Sequence, residues 1–328
     1  MSLLTTSFAG LKLSNPIIVS SSGLTDSAEK IARLAEAGAG AVVMKSLFEE
    51  QIMMETNQAI AYNAYEHSEG YDYFSTYIRQ HKVSEYLDVI RNSKKSCDIP
   101  VIASISCHDD AEWTSFAKEI ENAGADALEI NILALQTSKK YEYGSFEKEH
   151  VSILQRLKKD VNIPIIMKLG NNFSNPINLI DQLKENGADA VVLFNRFYPV
   201  DIDTDTMTHT VGQVLSNGSE LSNSLRWTGI ASNVVKNIDI AISGGVHDGD
   251  GIVKSILAGA NAVEVCSVIF EKGPEFIKVM NDKVIDWMNK KGFSSISQFI
   301  GKLNSGSVND ETNMFERTQF MKYFGGKH

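Results

Sequence analysis

EAGAGAVVMK, residues 36–45, returns with small changes as NAGADALEIN (122–131), ENGADAVVLFN (185–195) and LAGANAVEVCS (257–267). In each copy a helix-forming stretch ends at glycine, Ala-x-Ala follows, and a short β-favouring run comes next. Glycine takes the left-handed conformation that closes a helix, and small alanines let the next strand begin close beneath that helix. Four further apolar runs complete a set of eight: NPIIVSSSG (15–23), IPVIASIS (99–106), IPIIMKLG (163–170) and DIAISGGV (239–246). Both faces of these runs are apolar, as in parallel strands buried under helices. Eight β/α units in one chain predict an α/β protein folded as a TIM (β/α)8 barrel, with a doubly wound sheet as the competing arrangement.

The intervening segments carry helical spacing. DSAEKIARLAEAG (26–38) opens at Thr25-Asp26 and puts Ile31, Leu34 and Ala35 on one face; DDAEWTSFAKEIENAG and INLIDQLKENG behave alike. Residues 1–328 read as a single domain. Two intervals, about 47–98 and 197–237, are too long for plain connections, and long loops at a barrel's top shape its active site. A tail from about 305 spaces Met314, Phe315, Phe320 and Tyr323 as a packing face, against the barrel or a second subunit.

Composition limits the function classes. The chain has 328 residues, is 43% hydrophobic and carries a net charge of −10, which disfavours nucleic-acid binding as the main task without excluding a local phosphate pocket. Three cysteines, Cys97, Cys107 and Cys266, show no paired spacing, which argues for a reducing compartment and against a disulfide framework or a structural metal. No run is long enough to span a bilayer, and MSLLTTSFAG has no basic n-region, so neither membrane insertion nor a secretory signal is expected.

Residues just past the strand ends line a barrel's ligand mouth. In order they are Ser20-Ser21-Ser22, Lys45-Ser46, Ser106-Cys107, Asn131, Lys168, Asn195-Arg196, Ser243-Gly244-Gly245 and Cys266-Ser267. The list is polar although the strands are apolar. A lysine at the end of a buried strand is costly unless it meets an anion or an electron-rich ligand, or reaches a nearby carboxylate. Ser243-Gly244-Gly245 after the seventh strand, with Cys266-Ser267 after the eighth, stands where barrels bind phosphate through backbone N–H groups. A phosphate at strands seven and eight, with polar ring atoms near Lys45, Asn131, Lys168 and Asn195, describes a flavin mononucleotide (FMN). A phosphosugar processed through a lysine Schiff base meets the same list.

GLKLSNPIIVSSSG, VVMKS, ALEIN, IMKLG, ISGGV, AGANAVEVCS and FSSISQFIGKLN together resemble the class 1 dihydroorotate dehydrogenases, from about Leu4 to Asn304. The resemblance implies a TIM barrel that binds FMN and oxidises dihydroorotate to orotate in pyrimidine biosynthesis, as a soluble cytoplasmic homodimer acting on a small molecule. It implies flavin contacts at Ser20, Ser21, Lys45, Ser46 and Asn131, with Lys168 at the N1–O2 edge. The loop around Thr228-Gly229, together with Ser243, Gly244, Gly245, Cys266 and Ser267, would hold the phosphate. Lys45, Asn131, Asn195 and Arg196 would face substrate.

The chain also departs from that pattern. The family's catalytic base, Cys in class 1 and Ser in class 2, is matched by Ala134, and Leu135-Gln136 replaces the usual Pro-Asn. Alanine cannot take a proton. The substrate loop after strand two is matched only loosely by EHSEGYDYF (66–74), and Arg196 replaces a smaller Ser or Thr. Thr137, Ser138, Cys107 and His67 are substitute proton carriers, each weighed against an ordinary loop or core role, and Tyr198 and Asp201 read as loop structure. Arg196 either grips a substrate carboxylate or pairs with Asp201 or Asp203. These departures leave open a divergent flavin oxidoreductase acting on another carboxylate or enone, or an FMN-binding protein without dihydroorotate turnover.

Overall fold

A computed structural model describes residues 3–48, 68–106, 112–307 and 314–318, with backbone alone at 48, 68–75 and 112–115. His67, Cys107, Phe320, Tyr323 and the first residues of the 66–74 segment lie outside the described residues. Eight parallel strands close on themselves: β3 (Ile17–Val19), β4 (Ala41–Val43), β6 (Val101–Ser106), β7 (Ala127–Asn131), β8 (Ile165–Leu169), β9 (Ala190–Leu193), β12 (Asp239–Ser243) and β13 (Ala262–Val265), which pairs back to β3. Each is one of the eight runs read from the sequence. Closure by β13–β3 and β4–β6 pairing makes this a TIM barrel and removes the open edges a doubly wound sheet would keep.

The repeat owes its form to three separate tasks. Gly38, Gly124, Gly187 and Gly259 all have positive φ, between 93° and 120°, and end their helices. The middle residue of Ala-x-Ala then fastens the neighbouring strand. Asp126 accepts from the Val101 amide at 2.7 Å, Asp189 from Ile165 at 2.8 Å, and Asn261 from Ile240 at 3.1 Å. Lys94 and Lys158 reach the two aspartates from the helices outside. In the first copy the middle residue is Gly40, because a Cβ there would stand 2.2 Å from the Asn15 carbonyl oxygen. The second alanines, Ala41, Ala127, Ala190 and Ala262, point into the barrel and are fully buried with Ile18, Ile102 and Ile166.

A hairpin that the pattern did not reveal, β1 (Thr6–Phe8) and β2 (Leu11–Leu13), plugs the N-terminal end of the barrel. Phe8 and Leu13 are fully buried in that inner cluster, and the Ala9 amide donates to Asp239 at 2.9 Å. Removing the Phe8 ring from such a site costs about 3–5 kcal/mol. A short strand, β5 (Leu47–Phe48), extends the sheet beside β6.

The two long intervals contain structure of their own. The first includes a helix over Ser68–Ser96. The second holds a protruding antiparallel hairpin, β10 (Val200–Asp203) with β11 (Thr208–Val211), and then a helix over Leu221–Val234. Among the described residues no helix is long and apolar enough to cross a membrane, and no group of three or more His, Cys, Asp or Glu is arranged to hold a metal.

Candidate active site

Successive strand residues alternate between the barrel interior and the helices. Following the inward alanines, the next interior positions are Glu129 on β7 and Glu264 on β13, with Lys168 on β8 and Ser20 past β3. Lys168 Nζ lies 2.5 Å from Glu264 Oε2, 2.9 Å from Ser20 Oγ and 3.5 Å from Glu129 Oε1. Ser20 also donates to Glu264 at 2.8 Å. All four side chains are buried. The lysine expected at a flavin edge therefore stands on two carboxylates that the sequence reading passed over, although Ala-x-Glu occurs at the same place in two copies of the repeat.

Two carboxyls facing one ammonium cannot both stay ionised out of water. Burial, then the charge of Glu264, raise the Glu129 carboxyl well above its usual range, outweighing the pull of Lys168. Burial also opposes the charge on Glu264, but the Lys168 ammonium overcomes it and holds that group below its usual value. Burial opposes the lysine charge too, and the two glutamates more than restore it. Glu129 is thus the neutral acid, and it is in hydrogen-bond contact with Glu264. Glu129 Oε2 and Glu264 Oε1 are buried without a hydrogen-bond donor of their own. A lysine held in its protonated form is no nucleophile, which removes the Schiff-base reading at Lys168.

Above this floor opens a cavity of about 180 Å³ at the C-terminal ends of β3, β8, β9, β12 and β13. The predicted residues Ser20, Ser21, Lys168, Ser243, Gly244, Gly245, Cys266 and Ser267 share its walls with Asn195 and Arg196. Gly244 and Gly245 have φ of 87° and 77°. A Cβ on Gly245 would stand 2.2 Å from the Leu221 amide nitrogen, while one on Gly244 would meet nothing within 4 Å. Gly244 therefore leaves open space beside Ser243 and Ser267, whereas Gly245 lacks a side chain because the chain packs there against Leu221. Burial raises the Cys266 thiol, so it stays protonated.

The sequence reading missed Ser216, which joins Ser243 and Ser267 in the wall. It had placed this part of the site at Thr228-Gly229. The structure puts Gly229 in the second half of the 221–234 helix, under the ring of Phe315 from the tail. Thr228 is fully buried there. The loop that reaches the cavity comes earlier, at Val214–Ser216, just past the hairpin.

The other predicted residues are distributed around this cavity. Asn131 accepts a 2.8 Å hydrogen bond from Asn195, whose own side-chain oxygen accepts from the Arg196 amide. Ser46 bonds Ser21 at 3.0 Å and Ser104 at 2.7 Å, tying β4 and β6 to the loop after β3. Lys45 is exposed and does not line the cavity. Arg196 pairs with neither Asp201 nor Asp203. Its Nε donates to Glu220 at 2.9 Å, and its two terminal nitrogens donate to the carbonyls of Val214 and Gln213. The guanidinium thus straps the 213–214 loop over the cavity. Ala134 lies in the loop past Asn131, where its carbonyl accepts from Asn172 at 3.0 Å.

A larger open cleft of about 450 Å³ lies at the opposite end, around Asp189, Asp239 and Asn261. Those groups are the strand fasteners described above, and barrels work at the C-terminal face. The smaller cavity, with its charged floor, is the candidate site.

Comparison with known proteins agrees with this geometry. The family model for dihydroorotate dehydrogenase matches residues 3–288. The catalytic subunit of dihydroorotate dehydrogenase B (NAD(+)) from Thermoplasma volcanium is 27% identical over 316 residues, covering 92% of this chain and 98% of its own. The PreA subunit of NAD-dependent dihydropyrimidine dehydrogenase from Escherichia coli K12 is 25% identical, covering 93% of this chain and 78% of its own. In fold, a crystal structure of DHODH from Eimeria tenella in complex with ferulenol superposes with a TM-score of 0.65, at 15% identity over 91% of this chain and 88% of that one. With the barrel, the polar strand ends and the family model over most of its length in agreement, the chain belongs to the dihydroorotate dehydrogenase family.

Proposed function

We propose that the cavity holds FMN, with its phosphate against Ser243, Gly244, Gly245, Ser216 and Ser267 and its ring toward Ser20, Ser21 and Lys168. The chain is a flavin-dependent oxidoreductase of the dihydroorotate dehydrogenase family, acting on CH–CH bonds. The observation that supports FMN is the open backbone at Gly244, in a Gly-Gly turn past β12, together with Ser216, Ser243 and Ser267 at one end of a cavity. A phosphate needs close backbone approach and hydrogen-bond donors, and both are present. When bound, the flavin would accept a hydride from substrate. The chain's residues bind and orient: Asn131 and Asn195 present amides to a planar polar substrate, Lys168 supplies a charge-balanced floor, and Arg196 keeps the 213–214 loop closed.

Dihydroorotate is the first substrate to test. Position 134 favours a second reading, a related flavin oxidoreductase acting on another pyrimidine-like carboxylate or enone, because the methyl of Ala134 cannot remove a proton. A cytoplasmic homodimer remains the assembly we propose, and an NAD-linked partner subunit, as the name of the Thermoplasma relative implies for that protein, is the alternative. An absorption spectrum of the purified protein tests the cofactor: flavin bands are expected, and a colourless protein that takes up no added FMN would sink the reading. Anaerobic bleaching by dihydroorotate, against dihydrouracil as comparator, separates the two substrate readings.

A further inference from the structure

We propose that His247 is a positioning residue of this site. It aims the Ser216 hydroxyl at the bound phosphate, with Glu271 orienting its ring, so that the cavity selects the phosphorylated flavin over its dephosphorylated form. The inference rests on the FMN reading above and adds to it a residue outside the cavity wall.

His247 is placed by its neighbours in the chain. Gly245 makes the turn past β12, and Asp248 caps the helix over Gly249–Ala258 by accepting from the Gly251 amide at 2.8 Å. Between them the imidazole is held behind the cavity, with Nε2 3.1 Å from Ser216 Oγ and Nδ1 3.5 Å from Glu271 Oε2. Ser216 is itself buried, and it lines the cavity. Its oxygen is also 3.1 Å from Ser267 Oγ and 3.5 Å from the Gly245 amide, and its amide donates to Ser267 Oγ at 2.9 Å.

A hydroxyl has one hydrogen to give and two lone pairs to fill. The Gly245 amide fills one lone pair of Ser216. If the hydrogen goes to Ser267, as the 3.1 Å contact allows, nothing is left for a ligand. If the hydrogen goes to a phosphate, the second lone pair needs a donor from behind. His247 Nε2 is at the right distance to be that donor. On the far side of the ring Nδ1 faces the Glu271 carboxylate, which holds the ring in this orientation. Ser216 then donates to the phosphate with the imidazole Nε2 one hydrogen bond behind it. A flavin without the phosphate offers no acceptor there and gains nothing from the arrangement.

Titration of the deflavinated full-length protein with FMN and with riboflavin, followed by quenching of flavin fluorescence, tests this. H247Q should weaken FMN by tenfold or more and leave riboflavin within twofold. S216A should do the same, and the double variant should be no worse than either single one. E271Q, at a more exposed position that the fold tolerates, should weaken FMN about threefold and spare riboflavin. An H247Q or E271Q protein that loses both flavins equally, or neither, overturns the proposal. If the wild type binds neither flavin, the FMN reading falls and inorganic phosphate becomes the probe, followed by ³¹P line broadening. Broadening lost in H247Q would uphold the role of His247 at an anion site, and no broadening in the wild type would end it.

Discussion

Around Ser216 and Ser267 the hydroxyls bond one another, and beside Ser243 the turn at Gly244 leaves the backbone open to a ligand. Across the mouth, past β4 and β7, Lys45 stands exposed and position 134 carries only a methyl group. The first side is assembled mainly from the ends of β12 and β13 and the turns directly after them, with Ser216 brought in by the loop past the hairpin, so most of its geometry is set by barrel closure. The second depends on loops whose sequence can change without disturbing the sheet. The likeness to dihydroorotate dehydrogenases is therefore carried by the side that would hold the flavin, and the departures gather on the side that would meet substrate. A shared cofactor cradle says little about which molecule is oxidised or reduced above it.

Four substitutions test that division. Lys168→Met strikes the floor common to both sides. It leaves two buried carboxyls without their cation, and urea unfolding should show a loss of about 3–5 kcal/mol. A loss near zero would mean the ion pair does not form. Ala134→Cys restores a proton acceptor on the substrate side alone. Anaerobic flavin bleaching by dihydroorotate should quicken by about 10², with FMN affinity unchanged. No gain would place the substrate difference elsewhere in the mouth.

Glu129→Gln sharpens the description of the floor. The folded protein holds a proton on Glu129 that the unfolded chain releases above the ordinary value near 4.5. As pH rises from there toward the raised value, the wild type loses stability relative to the variant, by about 1.4 kcal/mol per unit. Parallel melting curves for the two proteins across pH 5–7 would contradict a neutral Glu129. Gly244→Ala has the smallest expected effect on the fold. Its φ of 87° costs an alanine about 1 kcal/mol, but the new methyl enters open cavity space. The protein should fold and lose its yellow colour, whereas retained flavin would move the phosphate away from this turn.

The eight strands were legible because most are announced locally, four by a helix-ending glycine and Ala-x-Ala and three by a proline before a β-branched run, leaving only Asp239–Ser243 to be read from its apolar run before Gly-Gly. The N-terminal plug was not, since Thr6–Leu13 is short and its value lies in Phe8 and Leu13 filling a barrel built from distant residues. The floor was hidden for the same reason: Lys168 meets Glu264 across 96 positions and Ser20 across 148. Inward alternation from the known alanines would have found both glutamates. Thr228-Gly229 was expected at the phosphate only through the family resemblance, and no local pattern shows that Gly229 packs under the Phe315 ring inside a helix. Arg196 was legible as an unusual residue, but its partner Glu220 stands 24 positions further on and no local spacing signals it.

Because Glu264 already balances Lys168 from within, the barrel's own floor carries no stranded charge waiting to be neutralised. Folding of the polypeptide is therefore expected to run to completion before the flavin proposed above is delivered.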